Sequence, residues 1–203
     1  MKSADLYKQW TIEVSDDWGA LGVMHLAGRG CRWQAPVDNR LLLLFVETNP
    51  KYPWTVYGGG DFSINVYLPR EAPENPSKYQ ESVLESVAFF AYWSDEHRAR
   101  LEDANRCVYE KLLNFDRDEL YRKAADALNC TPEDARQQEL VETSLEIMEM
   151  EVNEPSEAMI NPSLFYYDAD DVSMWANLVS EALPQALANI RRKPEYAFGS
   201  SAG

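Results

Sequence analysis

The spacing of apolar residues in this chain changes from two to about 3.6 across residues 69–77, and that change sets the class of fold it can adopt. Upstream, Phe62, Ile64, Val66 and Leu68 alternate with Ser63, Asn65 and Tyr67, the pattern of a strand from Asp61 to Leu68 with one wet face. Arg40 to Thr48 is continuously apolar through its middle, which predicts a largely buried strand, and Asn49-Pro50 and Pro53 end it. Gly22–Leu26 and Gly30–Gln34 read as one bent strand or two short ones. Residues 20–68 therefore read as an antiparallel meander of three or four strands. Before them, Leu6, Trp10, Val14 and Trp18 recur at fourfold spacing behind a Ser3 cap, which predicts an opening amphipathic helix, although Thr11–Val14 would equally suit a strand.

After Pro69, Pro73 and Pro76 the pattern is helical. Ser77 is expected to cap a helix whose core face holds Val83, Val87 and Phe90, flanked by Leu84 and Ala91. Ser94 caps the next, with Leu101, Ala104, Val108 and Leu112 on one stripe, and Asp116 a short one carrying Leu120, Ala124 and Leu128. Thr131-Pro132-Glu133-Asp134 combines a cap, proline at the first helical position and acids in the first turn, and opens a helix predicted to run to about Val152. Pro155 and Pro162 bracket a loop, and Leu164 to Tyr167 suits a returning edge strand. Asp170 or Asp171 then opens a last helix through Trp175, Leu178, Val179 and Leu183, which Pro184 should kink or end early. The prediction is an α+β fold: an N-terminal helix with a small antiparallel β-meander over residues 1–70, then a mostly helical region over 71–192 packing on it as one domain. Residues 193–203 are expected to be a disordered tail, whose closing GSSAG has the composition of a cloning remnant.

Charge is the second constraint. Between Thr131 and Asp171 stand twelve acidic residues and one basic one, Arg136, so this window supplies −11 of a formal −15. On the helix it predicts, Val141, Leu145, Met148 and Val152 share one face, and Glu139, Glu142, Glu146 and Glu149 fall on the opposite arc. Glutamates at these spacings repel by ~0.2–0.5 kcal/mol per pair, and only Arg136 is placed to relieve them locally. Such a face admits two readings. One is a solvated surface that keeps the protein soluble. The other is a docking surface for a basic protein groove, in which carboxylates roughly every 5 Å imitate, coarsely, a phosphate track. Direct binding of nucleic acid or of an anionic membrane is disfavoured at a pI near 4.5.

Candidate chemistry is sparse. Asp168, Asp170 and Asp171 could gather around Mg²⁺ or Ca²⁺, but the run lacks the glycine and alternation of a calcium loop, and acids there also suit a helix N-terminus. Gly58-Gly59-Gly60-Asp61 precedes a strand and has no lysine, so it reads as a mobile hairpin turn and not as a phosphate cradle. Just before it, Trp54 and Tyr57, with Asp61, offer a ligand platform or a partner hot spot, or simply pack over the sheet edge. His97 and Cys107 sit about 15 Å apart along one predicted helix and cannot form a dyad. His25 and Cys31 lack an orienting acid. Two histidines and three scattered cysteines make no zinc set, and Glu47-Thr48-Asn49 lacks the lysine of a carboxylate–lysine nuclease core. No cofactor is implied.

Widely spaced Cys31, Cys107 and Cys130 suit a reducing compartment, and the N-terminal residues lack the apolar run of a secretory signal, so a cytoplasmic location is expected. In size, charge and missing catalytic set the chain resembles small bacterial or phage interaction proteins, such as immunity proteins and inhibitors that present an acidic surface to a nuclease or a nucleic-acid-binding target. The resemblance implies a non-enzymatic interaction protein that binds a basic partner through Glu139, Glu142, Glu146, Glu149, Asp168, Asp170 and Asp171. The alternative is a small-ligand binder or enzyme with a pocket between sheet and helices near Trp54, Tyr57, Asp61 and Asp168.

Overall fold

The computed structural model describes residues 3–27, 30–37, 40–48, 59–69, 84–153 and 163–192. It is an α+β fold: an N-terminal helix, an antiparallel sheet, and a C-terminal half that is mostly helical. Helix α1 (Ser3–Ala20) carries Leu6, Trp10, Val14 and Trp18 along one stripe, all at 0% exposure, so the fourfold spacing reports a helix and not a strand. Strands β1 (Met24–His25) and β2 (Cys31–Val37) are two short pieces paired antiparallel, Met24 opposite Gln34. β3 (Arg40–Thr48) and β4 (Gly60–Pro69) follow, with Leu44 opposite both Trp33 and Val66. β3 is buried on both faces from Leu42 to Val46, as its unbroken apolar run requires.

The helix expected behind Ser77 is corrected where it is described: residues 84–88 form strand β5 (Leu84–Ala88), followed by a 3₁₀ turn at Phe89–Tyr92. A run this short fits either period, and the free edge of β4 decides the outcome, pairing Asn65 with Ala88 through to Pro69 with Leu84. Ser77, Val83 and the Pro155–Pro162 loop lie outside the described residues, as do Trp54, Tyr57, Gly58 and residues 193–203. The same edge of β4, one step earlier, takes β6 (Leu164–Tyr166), so β5 and β6 lie end to end along one neighbour.

One face of the sheet packs under α1 and the last helix, α6 (Ala169–Arg192). Trp18 meets Trp33 edge-on at 4.9 Å, and Trp10 meets Phe62 at 5.2 Å, so aromatic edges from helix and sheet interlock at the centre of this core. Helix α6 runs unbroken past Pro184 for 24 residues, where the sequence predicted a kink or an early stop. Proline costs a helix interior about 3 kcal/mol. Here buried Val179, Ala182 and Leu183 before it, and Ala186, Leu187 and Ile190 after it, anchor both sides of the interruption.

Four helices form a second layer: α2 (Asp95–Leu113), α3 (Arg117–Leu128), α4 (Pro132–Arg136) and α5 (Glu139–Asn153). Their caps are those the sequence announces. Ser94 Oγ accepts from His97 N–H, Asp116 from Glu119 N–H at 2.7 Å, and Thr131 and Asp134 form a reciprocal capping box. The single helix expected from Thr131 to Val152 is corrected to two, broken at Gln137–Gln138. In an unbroken helix Ala135 and Val141 would point about 120° apart. The break turns both into one core, where they pack with Val108, Leu120, Ala124 and Leu145.

Candidate functional site

The acids singled out above divide into two groups once their surroundings are seen. On α5, Glu142 and Glu149 lean toward α3, where Arg117 meets them at 3.4 and 3.2 Å. Glu142 also accepts a hydrogen bond from the Tyr121 hydroxyl, whose pKa that bond raises. The expectation that only Arg136 relieves this face is corrected: Arg136 pairs with Asp118 on α3 instead, and Arg117 does the neutralising. Arg117 is 32 residues from Glu149, so no local spacing could announce it.

The outward stripe of α5 is different. Glu139, Thr143, Glu146 and Met150 fall at steps of four, three and four, which places them on one side of the helix, and all are exposed. Two large apolar side chains stand in water beside the acids, Leu140 at 50% exposure and Met150 at 55%. Neither Glu139 nor Glu146 has an ion-pair partner among the described residues. The layer around them has no spare cation either. From Asp95 to Asn153 the sequence holds sixteen acids and eight cations, and all eight Lys and Arg side chains lie within ion-pair distance of a carboxylate of this chain. Exposed pairs of this kind contribute only about 0–1 kcal/mol each. Their consequence here is that the surplus of eight charges is all negative.

Asp168 and Asp171 are cap residues. Asp168 Oδ1 accepts from Asp170 N–H at 3.1 Å and Asp171 N–H at 3.2 Å, while Asp171 Oδ2 accepts from Tyr167 N–H at 2.7 Å and Asp168 N–H at 3.1 Å. This reciprocal arrangement starts α6, and Lys111 on α2 closes it at 2.5 Å from Asp168 and 3.2 Å from Asp171. Burial opposes charge on Asp168, but Lys111 and the backbone N–H groups outweigh it and hold the carboxyl below its ordinary pKa. Lys111 is raised in return, its own burial outweighed by the two carboxylates. Asp170 points to solvent. Among the described residues no three His, Cys, Asp or Glu side chains gather as a ligand set.

Of the residues selected for a ligand pocket, Asp61 and Asp168 lie within the described chain, and Asp61 is buried at 1% exposure. Neither carboxylate oxygen has a hydrogen-bond partner of good geometry. Burial pushes its pKa up, against the pull of the Ser163 hydroxyl and its own amide. Its strand partner across the sheet is Phe165, in the middle of the three-residue pairing of β4 with β6. The preceding Gly60 lies under the Tyr166 ring, where a Cβ would stand 2.5 Å from the hydroxyl; this close approach corrects the reading of Gly60 as part of a mobile turn.

A further residue holds this seam. Asn105, on the buried stripe of α2 at 3% exposure, donates to Ser163 C=O at 3.0 Å and accepts from Phe165 N–H at 3.1 Å. Trp175 Nε1 donates to Phe165 C=O at 2.6 Å. Together they satisfy the outer edge of β6, which would otherwise leave buried backbone groups unpaired. A lone asparagine between Leu101 and Val108 on an apolar stripe was the available signal for such a contact.

Comparison with protein-family models, curated proteins and solved structures finds no match to this chain.

The histidines and cysteines form no ligand cluster among the described residues. His97 and Cys107 lie on the single helix α2. Cys31 is buried, accepts from Trp33 Nε1 at 3.4 Å and has its pKa raised by burial, while His25 rests edge-on against the same indole at 4.8 Å between ring centroids. Glu47 accepts from Asn65 at 2.5 Å and Tyr67 at 3.1 Å. No helix among the described residues is long and apolar enough to cross a membrane.

Proposed function

We propose that this protein is a non-enzymatic interaction protein that docks a basic protein partner on its helical layer, by the outward stripe of α5. The observation that supports the reading is the pairing of all eight cations of α2–α5 with the chain's own carboxylates, which leaves Glu139 and Glu146 uncompensated beside exposed Leu140 and Met150. Acids that steer a partner and apolar side chains that are desolvated on contact are the two parts of a protein-binding surface. The surface is narrower than the sequence suggested. Glu142, Glu149, Asp168 and Asp171 already hold Arg117 or Lys111, so they would contribute field and little direct contact. The partner would be one whose basic face otherwise meets nucleic acid, and binding would weaken with salt because exposed charges are screened beyond about 8 Å at physiological ionic strength. The small-ligand reading keeps one supporting observation, the buried carboxyl of Asp61.

The test is a comparison of two charge reversals with equal net change, Glu139→Lys/Glu146→Lys on the stripe and Asp16→Lys/Asp17→Lys on the exposed side of α1. Immobilised protein should retain a salt-eluted basic partner from the source cell, lose it with the α5 reversal and keep it with the α1 reversal. Equal retention by both variants, or equal loss, refutes the localised surface.

A further inference from the structure

A carboxylate buried at 1% exposure, whose pull from the Ser163 hydroxyl and its own amide is outweighed by burial, is costly to keep charged, so the place where Asp61 sits determines what happens when it ionises. Its Cα is paired with Phe165 at the centre of the β4–β6 contact, with Gly60 opposite Tyr166 on one side and Phe62 opposite Leu164 on the other. The phenol ring of Tyr166 covers Gly60 so closely that not even a methyl group fits there. The phenols nearest the seam are Tyr166 from β6, whose pKa is raised by burial and by the Asp61 and Tyr7 charges, and Tyr109 from α2, whose ring packs on Phe165, the strand partner of Asp61, at 4.6 Å. No Lys, Arg or His among the described residues acts on the Asp61 carboxyl to hold its charge.

We propose that the proton on Asp61 is what keeps β6 seated on β4, and that its loss parts these two strands. Below the folded-state midpoint the carboxyl is neutral and the seam is closed. As pH rises through that midpoint the ionised group draws water, and the three backbone pairs beside it are the first to yield. Because β6 runs straight into the capped start of α6, the opening transmits to the Lys111–Asp168–Asp171 cluster.

Amide hydrogen exchange from pH 5 to 9, expressed as protection factors, reads the device directly. Phe165 N–H faces Asn105, so the Leu164 and Tyr166 amides are those that face β4. In the wild-type protein their protection should fall by up to about tenfold per pH unit between the open-state value near 3.9 and the folded-state Asp61 midpoint, the slope for opening linked to release of one proton, and level off above that midpoint. The Val66 and Leu44 amides in the sheet centre should keep theirs. In Asp61→Asn the decline at Leu164 and Tyr166 should vanish. A flat profile in the wild-type protein overturns the proposal, as does the same decline in Asp61→Asn. Carbon-13 titration of the wild-type Asp61 carboxyl gives a measurement independent of that variant: a midpoint in the ordinary aspartate range, near 3.9, also overturns it.

Discussion

Asn105 offers the sharpest energetic test, because its one side chain serves two backbone groups at the outer edge of β6. Replacing it with alanine leaves Ser163 C=O and Phe165 N–H without the partners they have at 3.0 and 3.1 Å. A buried polar group left unsatisfied costs about 1–3 kcal/mol. The Phe165 amide belongs to a residue at 5% exposure and should cost near the top of that range, whereas Ser163 is half-buried and water can take over part of its bond. The expected loss is therefore about 2–4 kcal/mol, which in a chain of this size lowers the melting temperature by roughly 5–12 °C. Asn105→Asp separates the two bonds. At neutral pH it keeps an acceptor for Phe165 N–H, removes the donor to Ser163 C=O and buries a charge, so it should match or exceed the alanine loss. Acidification restores a donor, and the deficit should shrink as the carboxyl protonates. Urea unfolding followed by far-ultraviolet circular dichroism at pH 7 and pH 4 measures both. An Asn105→Ala loss below about 0.5 kcal/mol, the size of an ordinary surface change, would show that β6 is not held by this amide.

Gly60→Ala should destabilise by about 1–3 kcal/mol, since its Cβ meets the Tyr166 hydroxyl at 2.5 Å and the ring carbon behind it at 2.7 Å. In a Tyr166→Ala background the same substitution should cost much less, and additive losses in a double-mutant cycle would contradict the contact. Lys111→Met should lower stability with a defined pH profile. The Asp168 carboxyl is depressed in the folded state, so its contribution is present above the unfolded value near 3.9 and lost as pH falls through the folded one; Lys111 is raised, so its contribution holds below about 10.4 and is lost as pH rises through its folded value. The gap between wild type and Lys111→Met should therefore be widest between these limits and close at either end, and a gap independent of pH would refute the pairing.

How much of this could be read from residues follows the range of the interaction. Helix α1, strands β3 and β4, and the starts of α2, α3 and α4 are written in apolar period and capping chemistry, which act within a few residues, and the structure reproduces them. β5 was misread because five residues suit either period, and the open edge of β4 that captures them is a tertiary fact. The same holds for the break between α4 and α5 and for the passage of α6 through Pro184, both set by a core that local rules do not see. Among the candidate residues, the place of Asp171 at the start of α6 was legible, but the cap itself is Asp168 and not Asp170, and Arg117 and Lys111 reach carboxylates 25 to 60 residues away in sequence, which no local spacing announces. Asn105 was the missed opportunity, a polar residue on a stripe that otherwise excludes them.

The distribution of indole rings gives the molecule a built-in pair of reporters. Among the described residues, Trp10, Trp18, Trp33, Trp93 and Trp175 all belong to the core between the sheet, α1 and α6, and the α2–α5 core has none. Fluorescence of these five indoles thus watches one half of the protein, while ellipticity at 222 nm draws on the helices of both. The pleat of β6 joins the two, sending Leu164 and Tyr166 into the first core and Phe165 into the second. A chain stitched across its middle by three consecutive side chains should give superimposable optical transitions, and any variant that pulls the curves apart has cut that stitch.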